Sequence, residues 1–352
     1  MKARCPYAIN FGRIPNQYIS RSLLMEDIID TLNSNIVEDQ AFKLTGIRGT
    51  GKTVMLSSIE KELKDDDDWI IVDLKPDCDI TNELVANLYT EIPFVTKFID
   101  ANFNLSAFGI CLNISSKSPA ASLDVALDKL MTEIVKRKKK LLILIDEARK
   151  TDALIDFIQG FQILIRRDFP IYLIIAGLYE DIECIENTDG LTFFLRAPKY
   201  EMTPLNIGII KEDYKKTLNL SDDVAYELAV MTKGYAFAYQ AFGKYMWEEK
   251  AKTITPMVLA KVDEALAVKV YDKIWSELTE KDKWYMYFIA QKESMSATEL
   301  LEITKKKHND WSEPRKRLIE KGIIDGSTRG MIVLKLPRFK DYINNLRLYQ
   351  IN

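Results

Sequence analysis

GIRGTGKT, running from Gly46 to Thr53, decides the fold of this 352-residue chain. Glycines at this spacing let backbone N–H groups curl around an anion, and a helix opening at Lys52 adds partial positive charge at the same place. The flanks agree with that reading. AFKLTG (41–46) is short and largely apolar, as a strand would be, while KTVMLSSIEKELK sets Met55, Leu56, Ile59 and Leu63 on one helical face. Strand, Gly-rich loop and helix, in that order, are the context a phosphate-binding loop requires. The residues expected to cradle a nucleotide are therefore Gly46, Ile47, Arg48, Gly49, Thr50, Gly51, Lys52 and Thr53. Lys52 is expected to reach the β- and γ-phosphates, and the Thr53 hydroxyl to ligate Mg2+.

LLILIDEA, ending at Ala148, supplies the second half of such a site. Asp146 closes a buried aliphatic run, where it can hold magnesium through the ion's water shell. Glu147 beside it is placed to polarise an attacking water. An acid next to the metal-binding aspartate favours water as nucleophile, so hydrolysis is expected over phosphoryl transfer to a metabolite. The chain has neither an N-K-x-D guanine signature nor an LSGGQ transporter signature, which leaves ATP as the expected nucleotide.

WIIVDL (69–74), IYLIIAG (171–177) and KYEMTPL (199–205) are further strand candidates. LLILID and IYLIIAG are near-continuous aliphatic runs, as strands covered on both faces of a parallel sheet are. Helical patterns fill the gaps: Ile80, Leu84, Val85, Leu88 and Ile92 share one face; Leu123, Leu127, Leu130, Met131 and Ile134 share another, with Ser122 as its N-cap. TDALIDFIQGFQILIRR forms a third helix, ending before Pro170. Strands alternating with helices predict an α/β three-layer core with a parallel sheet over 1–205. FNLSAFGICLNIS (103–115), centred on Gly109, reads as an inserted strand pair or bent strand. The basic run KRKKK (136–140) is most simply a helix C-terminus offsetting its own dipole.

Beyond Leu205 the pattern turns helical. Ser221 caps SDDVAYELAVMTKG, Gly234 closes it, and AFAYQAFGKYMWEE follows. Thr255 and Pro256 open PMVLAKVDEALAVKVYDKIW as an N-cap and N1 pair. Residues 206–275 thus read as a helical lid. From 276 to 352 two helices, the polar turn KKKHND, a third helix WSEPRKRLIEKG and a hairpin turning at Gly326–Gly330 follow in the order of a winged helix. A third helix of this kind can enter a DNA major groove while the wing touches the backbone. Arg315, Lys316, Arg317 and Arg329 are the candidate contacts to double-stranded DNA. Residues 270–352 hold 16 Lys and Arg against 12 Asp and Glu, a mild local excess that fits DNA, although Glu313 and Glu320 lie on the same helix and protein contact is the competing reading.

The motifs resemble the P-loop ATPases of the AAA+/STAND branch, especially bacterial and archaeal ATPases with a C-terminal winged helix, and more distantly the origin-recognition-type initiators. The resemblance covers nearly the whole chain. It implies ATP and Mg2+ as ligands, bound between core and lid, with nucleotide state controlling self-association or contact with DNA or another partner. RIPNQYISRSLLMEDIIDTL resembles the segment that places an arginine beside the adenine, so Arg21 is the matching residue. FFLRAPKYEMTPL resembles the segment before the fifth strand, where Arg196 becomes the candidate for sensing the γ-phosphate, in cis or across a subunit interface; Arg166 and Arg167 are its rivals. Two features depart from the resemblance. The fourth strand ends Gly177-Leu178-Tyr179 where motors carry a polar sensor, and Tyr235-Ala236 follows Gly234 where related switches show Gly-x-Pro. Both favour a slow nucleotide switch over a fast motor; the alternative is an interaction module with little hydrolysis and no DNA binding.

Bulk properties narrow the class further. Apolar residues make up 47% and charged residues 29%, enough for a sizeable core, and a net charge of −3 gives no global field toward nucleic acid or membrane. Cys5, Cys78, Cys111 and Cys184 are scattered, so neither a zinc site nor a disulfide framework is expected. The one histidine, His308, falls in KKKHND and reads as a solvated loop residue. No secretory h-region opens the chain and no apolar run spans a bilayer, so a reduced, cytoplasmic protein without membrane contact is expected.

Overall fold

The computed structural model describes residues 4–10, 14–34, 36–102, 123–327 and 330–350. They fall into two compact units: Ser22–Thr45 with Lys52–Glu201, and the N-terminal segment to Arg21 with Gly46–Gly51 and Met202–Asn352.

The first unit is built on a five-stranded parallel sheet of β1 (Ala41–Thr45), β2 (Trp69–Leu74), β3 (Lys140–Ala148), β4 (Ile171–Gly177) and β5 (Lys199–Glu201), in the order β2-β3-β4-β1-β5. The aliphatic runs of β3 and β4 are buried because helices cover both faces. Each such side chain contributes about 1.5–3 kcal/mol when withdrawn from water. The covering helices are α1 (Ser22–Asn33), α2 (Lys52–Leu63), α3 (Ile80–Glu91), α4 (Pro93–Asn102), α5 (Leu123–Lys136), α6 (Asp152–Ile165), α7 (Tyr179–Glu186) and the short α8 (Thr192–Arg196). Thr151 caps α6 through a bond from the Leu154 N–H, and Asp79 caps α3 the same way from Asn82. The chain leaves β1 toward β2 on one side and β4 toward β5 on the other, so the strand order reverses at β1 and β4. Ligands of open α/β sheets bind at such a reversal, outside the carboxyl ends of the strands.

Lys43 is a charge inside this sheet. Its ammonium donates to the carbonyls of Phe194 (2.7 Å) and Leu195 (3.2 Å) and pairs with Glu186 at 2.8 Å, while Lys199 takes the other Glu186 oxygen at 2.7 Å. Burial lowers the Lys43 pKa, partly offset by Glu186. The triad ties β1 and β5 to α7 and α8.

In the second unit, α9 (Ile207–Thr217), α10 (Asp222–Met231), α11 (Ala236–Glu248) and α12 (Pro256–Leu266) pack around a shared core. Tyr7, Tyr214 and Tyr239 form a ring cluster within it; the hydroxyls of Tyr7 (2.6 Å) and Tyr239 (2.8 Å) both donate to Asp213. That cluster holds the N-terminal segment on α9 and α11. The expected helix from Pro256 runs on to Ser276, with a π-helical turn, Ala267–Tyr271, joining α12 to α13 (Asp272–Ser276).

Then come α14 (Glu280–Ile289), β6 (Ser294–Ser296), α15 (Ala297–Thr304), α16 (His308–Glu320), β7 (Ile324–Asp325) and β8 (Met331–Leu334), with an antiparallel sheet ordered β6-β8-β7. This is winged-helix element order, closed by one further helix, α17 (Phe339–Gln350). Lys305, in the left-handed region at φ 53°, ends α15. The Asp310 carboxylate accepts the Lys307 N–H at 3.1 Å, starting α16 a turn earlier than its apolar pattern suggests. His308 therefore lies in the first turn of a helix rather than in a loop, and Pro314 falls inside that helix. The strand pair expected at 103–115, the cap Ser122 and Arg329 lie outside the described residues.

Candidate functional site

In the sheet unit, α2 begins at Lys52 directly beyond the phosphate loop, so Thr53 sits on its first turn. The Thr53 hydroxyl donates to Asp146 Oδ2 at 2.5 Å. Residues far apart in sequence meet here because β1 and β3 both deliver their carboxyl ends to the same edge of the sheet. The pairing register of β3 with β4 jumps between Ile145 and Ala148, so Asp146 and Glu147 form a bulge. Glu147 takes φ 51°, a conformation unfavourable for a residue with a Cβ, and is exposed. Bulges at such positions re-aim side chains out of the ladder, and strain of this kind concentrates at functional sites. Gly177 follows from the bulge. A Cβ there would lie 2.9 Å from the Ala148 carbonyl oxygen and 3.0 Å from Ile182 Cδ1. A side chain at Gly177 is therefore crowded out by the Ala148 carbonyl next to the Asp146–Glu147 bulge and by Ile182.

A cleft of about 490 Å3 opens beside these groups, lined among others by Thr53, Ser57, Asp73, Asp146, Glu147 and Arg149. Asp73, at the end of β2, is the acid that motif reading missed. Desolvation, then the charges of Glu60 and Asp146, push its carboxyl up to about 6. WIIVDL carries an aspartate one residue before its end, close to where LLILID places Asp146, which is the signal that would have found it. Among the described residues no three His, Cys, Asp or Glu side chains form a metal cage. Mg2+ keeps several waters and is held by one or two carboxylates plus substrate phosphates. The donor set of Thr53 and Asp146 therefore suits magnesium with a nucleotide.

The loop Gly46–Gly51 packs with the second unit. Gly49 and Gly51 take φ 76° and 95°, as an anion-binding turn requires. Tyr235 donates its hydroxyl to the Arg48 carbonyl, the Phe237 N–H reaches the Gly49 carbonyl at 3.0 Å, and Arg21 Nη2 reaches the Thr50 carbonyl at 2.9 Å. Arg21 Nε also donates to the Thr203 carbonyl at 3.0 Å. Burial pushes the Arg21 pKa down to about 10, which still leaves it charged at neutral pH. The Arg48 side chain pairs with Glu277 at 3.0 Å, at the C-terminal end of α13. Glu277 carries no motif and Tyr235 is marked only by following Gly234; nothing in the local sequence announces that they touch the loop.

Arg196 is exposed at the end of α8. Lys199, three residues later, pairs with Lys43, so Arg196 lies toward the amino ends of β1 and β5, not the edge where Thr53 meets Asp146. Arg166 and Arg167 end α6, just ahead of β4, and therefore also lie at the amino edge; Arg167 pairs with Asp128. On α16, Arg317 donates to both Asp282 oxygens, at 3.1 and 2.6 Å, and Asp282 is fully buried. Lys316 is exposed and pairs with Glu320 at 3.5 Å; Arg315 is half-buried.

Residues 21–152 match the KAP family P-loop domain, and residues 268–343 match a family described as a domain of unknown function. No curated protein matches the chain. Among solved structures, Cdc6p from Pyrobaculum aerophilum is 17% identical, aligns over 98% of both chains and gives a TM-score of 0.50. The ORC2 protein of Aeropyrum pernix, in ADPNP–ADP complexes, is 13% identical over 97% of this chain and 98% of its own, with a TM-score of 0.58. The chain thus carries a P-loop domain over residues 21–152 and shares the overall fold of these two proteins. Among its described residues no helix is long and apolar enough to cross a membrane.

Proposed function

We propose that the chain binds Mg2+·ATP at Gly46–Thr53 and hydrolyses it slowly, as a nucleotide switch read out through the winged helix. The observation that carries this is the 2.5 Å contact between Thr53 and Asp146, which joins the end of the phosphate loop to the acidic strand end. Bound magnesium would neutralise charge on the phosphates. Lys52, opening α2, lies where a lysine pairs with the terminal phosphates. Glu147, lifted out of the ladder by its bulge, is exposed and free to accept a proton from water. Arg21 acts by bracing the loop.

The absent sensor side chain at Gly177 supports slow turnover. Arg196 lies away from Thr53 and Asp146 within one chain, so it serves the γ-phosphate only of a second copy, which makes self-association part of the proposal. The division into core (1–205), lid (206–275) and winged helix (276–352) assigns the readout to the last part, with double-stranded DNA or a protein as partner; Arg315 and Lys316 are the cations of α16 that remain for DNA.

The test compares wild type with Lys52→Ala and Glu147→Gln in ATP binding and phosphate release. Lys52→Ala should lose binding; Glu147→Gln should keep it and drop phosphate release by about 10²-fold or more. Hydrolysis undiminished in Glu147→Gln would sink the assignment of Glu147.

A further inference from the structure

Three consecutive carbonyls of the phosphate loop are held from one side, those of Arg48, Gly49 and Thr50, by the Tyr235 hydroxyl, the Phe237 N–H and Arg21. The described peptide bonds are all trans, and in a trans peptide the N–H points opposite to the carbonyl of the same plane. Turning these three carbonyls outward therefore turns the N–H groups of Gly49, Thr50 and Gly51 inward. Those are the donors that a bound phosphate needs. A loop left to itself would keep its carbonyls free to rotate toward the anion and repel it, and ordering the loop would then weaken binding.

We propose that Tyr235, with Arg21, is a positioning residue of the nucleotide site, setting the peptide planes of the phosphate loop before any phosphate arrives. The inference rests on the nucleotide reading of Gly46–Thr53. It assigns a role to the tyrosine that follows Gly234, and it makes nucleotide affinity depend on the start of α11.

Several observations converge on Tyr235. Its ring and hydroxyl fill the space beside Gly49, where a Cβ would come 2.8 Å from Tyr235 Cζ and 3.2 Å from Phe237 Cβ. Burial holds the phenol far above its ordinary pKa, so it remains a donor across the working pH range. Arg21 is braced by its second bond to Thr203, so its Nη2 is aimed at Thr50. The Arg48 side chain is also held within the same unit, by its pair with Glu277. The three donors come from the N-terminal segment and the start of α11. A movement of α11 would therefore release or reset the phosphate cradle, which is the coupling a nucleotide switch needs.

The test is Tyr235→Phe, which removes one oxygen and keeps the ring against Gly49. Isothermal titration with ATP and ADP, each with Mg2+, is run on wild type, Tyr235→Phe and Arg21→Lys, alongside melting of the apo proteins and hydrogen exchange of peptides covering Gly46–Thr53. Loss of one such hydrogen bond predicts roughly 5- to 20-fold weaker binding. The factor should be the same for ATP and ADP, because both engage the loop through the β-phosphate, and the variant's loop should exchange faster without nucleotide. Arg21→Lys, which cannot span both carbonyls, should behave alike. Affinities within twofold of wild type overturn the inference, even with a lowered melting temperature, since a merely structural tyrosine would change only the latter. Weakened binding with unchanged loop exchange also overturns it. Absence of nucleotide binding by wild type overturns the underlying reading, and the inference with it.

Discussion

Gly177→Ala isolates the link between the Asp146–Glu147 bulge and the bare end of β4. Gly177 has no positive φ, so an alanine meets no backbone penalty there and the outcome is decided by space alone. The added Cβ would lie 2.9 Å from the Ala148 carbonyl oxygen, 3.0 Å from Ile182 Cδ1 and 3.1 Å from Ile182 Cγ1. All three are inside ordinary van der Waals contact. Ile182 is fully buried, and the Ala148 oxygen is backbone of the paired strand, so neither yields without shifting its neighbours. Overpacking of this kind costs about 1–3 kcal/mol. A domain of this size loses about 2–4 °C per kcal/mol, so the melting temperature should fall by roughly 4–8 °C for a mid-range cost of about 2 kcal/mol. Moving Ala148 also moves Asp146 away from Thr53. Mg2+-dependent ATP affinity should therefore fall severalfold, while ADP binding without metal, which depends on the loop, should change little. Thermal melting and titration with and without Mg2+ measure both. A variant that melts within about 1 °C of wild type and binds Mg2+·ATP normally would refute the argument that the bulge excludes a side chain.

Two further predictions concern the ion pairs. Hydrogen bonds from Lys199 and Lys43 outweigh the desolvation of Glu186 and hold its carboxyl below the ordinary 4.5. A depressed carboxylate contributes stability above its unfolded pKa that is lost as pH falls through the folded value. Glu186→Gln should thus lower stability at pH 7 by about 3–5 kcal/mol, by leaving Lys43 buried with its ion partner removed, and flatten the loss below pH 4.5; urea unfolding at pH 7 and in acid decides it. On α16, Arg317→Ala should destabilise by about 3 kcal/mol because Asp282 loses its buried partner. Arg315→Ala/Lys316→Ala should instead fold normally and, if DNA is the partner, reduce the salt slope of duplex binding by about two; an unchanged slope removes DNA from the proposal.

The P-loop core was legible because its signals are local. A Gly-rich loop between an apolar run and an amphipathic helix admits few conformations, and β3 and β4 announce themselves by being aliphatic on both faces. The helical caps at Ser221 and Thr255 were legible for the same reason, since each is made by a side chain three residues from its partner. The π turn at Ala267 and the start of α16 at His308 were less so: helical periodicity passes smoothly through the first, and a single aspartate sets the second.

By itself, then, the chain's order of residues determined the nucleotide loop, the pair Asp146 and Glu147, and the α/β class, because those depend on spacing along one segment. Tertiary structure alone decided what surrounds them. It brought Thr53 to Asp146, bent β3 so that Gly177 must stay bare, and withdrew Arg317 into a buried pair. It also set Tyr235 against Arg48, 187 positions away. Such contacts are matters of distance in space, which periodicity and motif spacing do not encode.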